Sequence, residues 1–99
     1  MEETSIEVVD RPDLKRFELA ADGNLAELTY EVQGNSLVLI HTGVPDELGG
    51  RGVGGRLVQA AIARASRDGL DIVPWCPFAR GWIDRHPEAL GTVRVVDRA

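Results

Sequence analysis

Hydrophobic and polar residues alternate along the first half of the chain. Residues 16–21 and 25–33 each place apolar side chains on one side and polar or charged side chains on the other, which is typical of half-solvated β-strands. Asp22-Gly23-Asn24 and Gly34-Asn35 mark tight reversals around the second run. The third run, Ser36 to Val44, is more continuously apolar. The pattern predicts a three-stranded antiparallel meander.

The period changes in the second half of the chain. From Arg51 or Gly52 to Asp68, apolar residues recur at helical spacing. They share one side of the helix: Leu57, Val58, Ala61, Ile62 and Ala65. Gly69 is a good helix stop. Leu70 to Trp75 predicts a short strand that runs parallel to Ser36–Val44 through a right-handed crossover, because a helix connects the two.

The remaining segments are shorter. Pro77 predicts the start of a second helix that ends before Pro87. Ile6 to Val9 fits a short extra strand before the turn Arg11-Pro12-Asp13, and Thr92 to Val96 fits either a last strand or a packed tail. We therefore expect one α/β domain over residues 1–99, in which a mixed central sheet has an antiparallel amino-terminal meander, a βαβ unit and a second helix.

A glycine-dense loop separates the third strand from the long helix. It has five glycines within seven residues: Gly49, Gly50, Gly52, Gly54 and Gly55. With few Cβ atoms in the way, successive main-chain N–H groups can approach a bulky anion. The helix adds its own unpaired N–H groups and the positive end of its dipole. The loop therefore predicts a phosphate cradle.

Other interpretations of the loop fit less well. A Walker loop needs Lys followed by Ser or Thr, whereas Gly55 precedes Arg56-Leu57. The segment Gly50–Gly55 matches the dinucleotide pattern G-x-G-x-x-G, but Pro45 to Gly49 separate it from the strand and the chain is too short for two βαβαβ halves. A flexible loop without a ligand is the remaining alternative.

Charge and composition exclude several classes of function. Sixteen acidic and eleven basic residues give a net charge of −5, which disfavours nucleic acid and favours a cationic acceptor. One cysteine and two histidines make a zinc site unfavourable. The single cysteine and the acidic start Met-Glu-Glu-Thr predict a cytoplasmic protein, and no apolar run has the roughly 20 residues that span a bilayer. Five arginines are expected to form a local positive patch beside the loop: Arg51, Arg56, Arg64, Arg67 and Arg80.

Two reactive side chains are expected at the carboxyl ends of the parallel strands, where ligands bind in open α/β sheets. His41 is near the end of one strand and Cys76 follows the other. Each also fits a structural role. His41 follows Leu37 and Leu39 on one strand face, as a core histidine would, and Cys76 fits an inert buried thiol.

Other notable side chains fit structural roles. His86 beside Pro87 fits a capping or packing role. The aromatic residues are expected in the core: Trp75, Phe78 and Trp82. Four acidic residues are interpreted as solvated charges without positional support for a general base: Glu27, Glu31, Asp46 and Glu47.

These motifs resemble a known family. His41-Thr42-x-Val44-Pro45, followed by Gly50-x-Gly52-x-Gly54 and Leu57, resembles the coenzyme-binding motif of the GNAT superfamily of acetyl-CoA-dependent N-acetyltransferases, above all its minimal family of roughly a hundred residues. Gly52 and Gly54 match the last two positions of the superfamily's Q/R-x-x-G-x-G/A motif, and Gly49 replaces its Gln or Arg. Cys76-Pro77-Phe78 and His86-Pro87 resemble the minimal family's C-P-F and H-P elements. The likeness extends from Arg16 to Glu88.

The resemblance implies a truncated GNAT-like fold that binds acetyl-CoA as cosubstrate, without a metal. The implied coenzyme-binding residues are Thr42, Val44, Gly49, Gly50, Arg51, Gly52, Val53, Gly54 and Gly55. The pantetheine would lie between the parallel strands, with Phe78 beside it. The acceptor would be an amine of a small molecule or of a protein lysine or amino terminus. A non-catalytic CoA-binding or interaction module that keeps the fold is the alternative.

The two reactive side chains also predict a mechanism. His41 would take the proton of the attacking amine, because imidazole titrates near neutral pH. Cys76 would protonate the departing CoA thiolate or carry the acetyl group itself. Direct transfer is the usual GNAT route and no basic residue adjoins Cys76 in the sequence, so we favour the proton donor. A contact between His41 and the thiol would reverse that preference.

Overall fold

The computed structural model describes residues 7–97, and they form one mixed sheet with two helices. The strands are β1 (Val9–Arg11), β2 (Arg16–Ala21), β3 (Asn24–Gln33), β4 (Ser36–Gly43) and β5 (Asp71–Pro74). Neighbouring strands follow chain order; β1 to β4 are antiparallel, and β5 is parallel to β4. The helices are α1 (Val53–Asp68), between β4 and β5, and α2 (Pro77–Arg85). This architecture confirms the predicted α/β class and the predicted parallel strand pair.

The predicted reversals are present, because the turn residues adopt the conformations that tight hairpins need. Asp22 and Gly23 both have positive φ, 54° and 78°, and Ala21 pairs with Asn24 across them. Two such residues in succession make a hairpin turn that matches the twist of the strands. At the next reversal Gly34 has a φ of 61°, and Gln33 pairs with Ser36. The register of the meander follows from these two turns.

The core lies between one face of the sheet and α1. The predicted apolar stripe of α1 is buried at Leu57, Val58, Ala61, Ile62 and Ala65. The sheet contributes buried side chains from β2, β3 and β4: Phe17, Leu19, Ala26, Leu28, Tyr30, Leu37 and Leu39. Burying each large apolar side chain stabilises the fold by about 1.5–3 kcal/mol. Burial requires the apolar stripe of α1 to face the apolar side of the sheet, so the two surfaces fix how the helix is oriented on the sheet.

A polar cluster joins β1, β3 and α1. The Tyr30 hydroxyl donates to Asp10 of β1, and Nη1 of Arg64 donates to both Asp10 Oδ2 and the Tyr30 hydroxyl at 2.8 Å. The Arg64 guanidinium also lies 5.2 Å from the centre of the Tyr30 ring. Burial, and then the hydrogen bond to Asp10, raise the pKa of Tyr30. This cluster ties the short edge strand to the helix.

Two predictions at the periphery need correction: the bounds of the first strand and the burial of two aromatic side chains. The first strand is Val9–Arg11 rather than Ile6–Val9, because Arg11 still pairs with Arg16 and the turn follows it; Ile6 lies outside the described residues. Near the carboxyl end, the segment 92–96 joins the sheet by one isolated parallel bridge, Ile72 to Val95. Trp75 and Phe78 are not core residues, since they are 53% and 42% exposed.

No helix within residues 7–97 combines the length and the apolar character needed to cross a membrane.

Candidate functional site

A β-bulge in β4 determines which side chains meet at the site. Tyr30 pairs with Leu39, but the preceding residue of β3, Thr29, pairs with His41, so Ile40 is an extra residue. Beyond the bulge the faces of β4 are exchanged. Thr42 lies opposite the buried Leu28, while His41 lies on the other face and is exposed.

The bulge overturns two expectations for His41. The sequence pattern placed His41 on the face of Leu37 and Leu39, which assumed an unbroken period of two. Because Ile40 interrupts that period, His41 lies on the opposite face, and its exposure excludes a core histidine. The imidazole is therefore accessible from solvent.

β4 and β5 stop pairing at the end where a crevice was predicted. The last pair is Leu39 with Pro74, and the N–H of Cys76 donates to the carbonyl of Leu39 at 3.0 Å. Pro74 has no N–H to extend the ladder, and the bulge at Ile40 turns the neighbouring strand. Pairing of the two strands therefore ends at Leu39 and Pro74, and we refer to the region beyond this last pair as the gap.

The glycine loop leads from β4 to α1 in a conformation that only glycine adopts readily. A 3₁₀ turn, Asp46–Leu48, precedes it, and Gly50 and Gly52 have φ values of 79° and 73°. Gly52 caps α1, whose first turn has no acidic residue. The first helical bond runs from the Arg56 N–H to the carbonyl of Gly52 at 3.1 Å.

Three main-chain donors are left at this end of α1. Within residues 7–97, the N–H groups of Val53, Gly54 and Gly55 have no acceptor. Unpaired N–H groups and the positive end of the helix dipole attract anions. The geometry therefore supports the predicted cradle.

A cavity of about 280 Å³ opens in front of these donors. Its walls are the glycine loop, the apolar Val44 and Leu48, and the rings of Phe78 and Trp82 from α2. The cavity brings main-chain donors and aromatic surface to one place. Such a combination suits a ligand that has both an anionic group and an apolar portion.

Gly54 and Gly55 also have a packing role, which their sequence pattern did not predict. A Cβ on Gly54 would lie 2.6 Å from Cζ of Phe78, and a Cβ on Gly55 would lie 2.5 Å from Nε1 of Trp82. Both distances are shorter than any normal contact. The two glycines therefore allow the rings of α2 to approach the first turn of α1.

Cys76 is buried against Thr42 rather than against His41. Its Sγ lies 3.1 Å from Oγ1 of Thr42, and the residue is 3% exposed. His41 is on the other face of the sheet, so the structure does not bring the imidazole and the thiol together. Thr42 contacts the thiol and is not among the residues that line the cavity, whereas Val44, Gly49, Gly50, Gly52, Val53, Gly54 and Gly55 line it.

His86 has a packing role. Its ring stacks on Trp82 with centroids 4.1 Å apart, and Nδ1 lies 2.9 Å from the Trp82 carbonyl oxygen. Because a carbonyl only accepts, Nδ1 carries the hydrogen. His86 thus supports one wall of the cavity from behind Trp82.

The prediction of a positive patch beside the glycine loop is wrong for Arg64 and Arg67. Arg64 and Arg67 lie in the second half of α1, about 16 Å or more from its start at 1.5 Å per residue, and both bind Asp68. At the loop, Arg51 donates to Asp22 at 2.7 Å, and Arg80 of α2 donates to Asp97 at 2.8 Å.

Metal ligands are not grouped in the described part of the chain: none of its His, Cys, Asp and Glu residues form a set of three or more that could hold an ion.

Glu27, which its sequence pattern indicated to be a solvated charge, is a further candidate. The alternation of β3 places it on the solvent face, which is also where a surface charge would lie. In the structure it pairs with Gly43, two residues beyond His41 on β4. Only the register between β3 and β4 reveals this proximity, and the sequence has no local signal for it.

Comparison with known proteins identifies relatives of the chain. The model of the GCN5-related N-acetyltransferase family, the GNAT family, matches residues 16–92. The NMR solution structure of a GCN5-like protein from Staphylococcus aureus is 31% identical, with a TM-score of 0.70; the match covers 94% of this chain and 90% of that one. No curated protein matches the chain. The resemblance seen in the motifs and the predicted fold are both confirmed.

Proposed function

Since the chain belongs to the GCN5-related N-acetyltransferase family, we propose that it transfers the acetyl group of acetyl-CoA to an amine. One observation carries the proposal: the unpaired N–H groups at the start of α1 border the cavity of about 280 Å³ beside the gap between β4 and β5. A ligand that reaches both places needs an anionic end and a slender reactive end. Acetyl-CoA has both.

The coenzyme pyrophosphate is assigned to the glycine loop. The N–H groups from Gly50 to Gly55 supply donors without side chains in the way, and the dipole of α1 adds a favourable potential. The net charge of −5 opposes an anion at long range. Binding therefore depends on these local donors rather than on the overall field.

The pantetheine arm is assigned to the apolar cavity and the gap. Val44 and Leu48 form one side, and Phe78 and Trp82 form the other. Phe78 is 42% exposed, so its ring is accessible to a ligand. From this cavity the arm leads toward the point where Leu39 and Pro74 make the last pair of the two strands. The thioester would then lie in the gap, with Cys76 on one face of the sheet and His41 on the other.

Each catalytic step then uses a residue of this region. The acceptor nitrogen attacks the thioester carbonyl, and its proton passes to His41 directly or through water. The C–S bond breaks as the C–N bond is completed, and the thiol of Cys76 gives its proton to the CoA sulfur. Thr42, 3.1 Å away, can donate a hydrogen bond to the sulfur left on Cys76. Because Sγ has Thr42 and not His41 as its partner, we favour direct transfer over an acetyl-cysteine intermediate.

Coenzyme binding is tested by calorimetric titration with CoA, comparing wild type with two variants at one position. Gly52 has a φ of 73°, and a Cβ there would meet no atom within 4 Å. Gly52→Asn adds an uncharged side chain, and Asn tolerates the positive φ that this position requires. Gly52→Asp adds a carboxylate beside the pyrophosphate, and we expect its Kd to exceed that of the Asn variant at least roughly tenfold. Equal affinities, or no binding by wild type, would contradict the assignment.

Acetyl transfer is tested by following CoA release with polyamines, small amines and lysine or amino-terminal peptides. Release above the hydrolysis background only in the presence of an acceptor supports the enzyme. CoA binding without release by any acceptor would instead identify a non-catalytic CoA-binding module. Full turnover by both His41→Ala and Cys76→Ala would refute their assigned roles.

The role of Cys76 is tested separately, by mass spectrometry after mixing the protein with acetyl-CoA alone. We expect no stable acetyl adduct on Cys76. An adduct that passes its acetyl group to added amine would replace the proton-donor role by an acetyl carrier.

A further inference from the structure

A bare backbone position on the side of the sheet opposite α1 brings together two groups that amine recognition needs. Gly43 is the last residue of β4, and the point where its Cβ would stand is 3.7 Å from Nε2 of His41 and 3.9 Å from Oε2 of Glu27. His41 precedes Gly43 by two residues on the same face, and Glu27 lies directly opposite it on β3. The imidazole of His41 and the carboxylate of Glu27 therefore flank a backbone position that has no side chain.

Glu27 is held in a position that leaves one oxygen for a ligand. Arg16 donates from Nη1 to Oε1 of Glu27 at 3.2 Å, whereas Oε2 faces the Gly43 position. The Glu27 side chain is 33% exposed, so its carboxylate is accessible to solvent. The ion pair with Arg16 orients the carboxylate and the second oxygen stays available.

We propose that this bare position and its two neighbours, the Gly43 subsite, bind the acceptor as a primary ammonium on an unbranched aliphatic stem. The inference rests on the proposed function. Alkyl amines are protonated at neutral pH, so the acceptor arrives as a cation that Glu27 can hold. One N–H bond of the ammonium then breaks and its proton passes to Nε2 of His41 and on to solvent, which leaves the nitrogen lone pair free to attack. A second proton leaves the nitrogen when it attacks, by the route through His41 given above. The missing side chain at Gly43 leaves room for a slender stem and excludes a branched one.

The same strand supplies a matched comparison. Glu31 lies on the same face of β3 as Glu27, and it too is in an ion pair, with Lys15 at 3.2 Å. Its partner across β4 is Val38, which is buried. Glu31 therefore repeats the charge and the ion pair of Glu27 without a histidine or a bare position beside it, and Glu31→Gln is the control for Glu27→Gln.

The subsite is tested by titrating n-pentylammonium into the protein, with and without CoA, while following backbone amide signals by NMR. We expect saturable shifts at Glu27, His41 and Gly43, and none with 1-pentanol. Glu27→Gln should weaken binding roughly fivefold, as for a partly exposed ion pair, and Glu31→Gln should not. Gly43→Ala should weaken it too, because the methyl fills the space between His41 and Glu27 at ordinary contact distances and leaves the fold intact.

Any of three results would contradict the proposal. These are no saturable shifts at the three residues, equal binding by wild type and Glu27→Gln, or equal losses of affinity in Glu27→Gln and Glu31→Gln. None of them depends on acetyl transfer, so the CoA titration and the release assay can succeed while this inference fails. In the release assay, comparing KM for an aliphatic diamine with KM for a lysine peptide distinguishes a small-molecule source of the ammonium from a protein source.

Discussion

At its amino-terminal end, α1 has no acidic residue in the first turn and leaves three main-chain N–H groups without an acceptor in residues 7–97. At its carboxyl-terminal end, Arg64, Arg67 and Asp68 all take part in ion pairs, and Gly69 caps the helix in a left-handed conformation. The first end has polar groups without partners and an adjoining cavity. The second end has partners for its charges and contacts to β1 and β3.

The difference shows how one helix can serve binding and stability. Unpaired N–H groups cost stability in the free protein unless water or a ligand satisfies them. The paired charges at the other end join the helix to the sheet by side-chain contacts instead. Substitutions at the second end should therefore change stability, while those at Gly50 and Gly52, which contact no ring of α2, should change affinity.

The largest expected effect on stability is at Arg64. Arg64→Met keeps the aliphatic stem but removes the donors to Asp10 and Tyr30, and its side chain is only 16% exposed. We expect the free energy of unfolding to fall by about 2–3 kcal/mol, since hydrogen bonds to charged groups are lost in a partly buried place. Arg67→Met is the control, because Arg67 also binds Asp68 but its side chain is 69% exposed. Urea unfolding that finds equal losses for the two variants would contradict a stabilising role of the cluster.

A smaller effect on stability is expected where the first turn of α1 packs against α2. Gly55→Ala forces the buried Trp82 to move, at a cost of about 1–3 kcal/mol that the better helix propensity of Ala partly offsets, for a net loss of about 1 kcal/mol. Gly54→Ala should be nearly neutral, because Phe78 is 42% exposed and can turn into solvent. Denaturant unfolding of both variants tests the difference. Equal stabilities of the two variants would contradict this prediction, because they would mean that Trp82 and Phe78 move at the same cost.

The smallest effect is expected at Asp68 and depends on pH. Hydrogen bonds from Arg67 and then Arg64 lower the pKa of Asp68 from 3.8 to about 2. A carboxylate whose pKa is lowered by folding stabilises the fold above its unfolded pKa and loses that contribution as pH falls through the folded value. Asp68→Asn should therefore be less stable than wild type at pH 6, and the difference should shrink between pH 4 and pH 2. A difference that is independent of pH would exclude the charge as its cause.

Much of the fold was readable from local patterns. The hairpins follow from Asp22-Gly23 and from Gly34, because their turn conformations are set by neighbouring residues. The limits of α1 follow from the glycines before it and from Gly69 after it. The glycine loop was predicted as an anion cradle because its chemistry lies in the main chain, and its coenzyme remains a proposal.

The side chains of the candidate site were less predictable, because they depend on pairing between distant residues. The extra residue Ile40 is defined only by the register of β4 against β3, and it moves His41 to the opposite face. The proximity of Glu27 to His41 arises in the same way. Local periodicity assumes a regular strand and cannot locate a bulge that is defined by its partner strand.

The sequence alone determined the order of the elements, the stripe of α1 that is buried and the position of the glycine loop at the start of that helix, because periodicity and turn chemistry act over a few residues. Tertiary structure alone decided that Cys76 contacts Thr42, that Trp82 occupies the space above Gly55 and that Glu27 and His41 flank Gly43. Each of these contacts joins segments that are far apart in the chain. They become definite only when the sheet register and the approach of α2 to α1 bring those segments together.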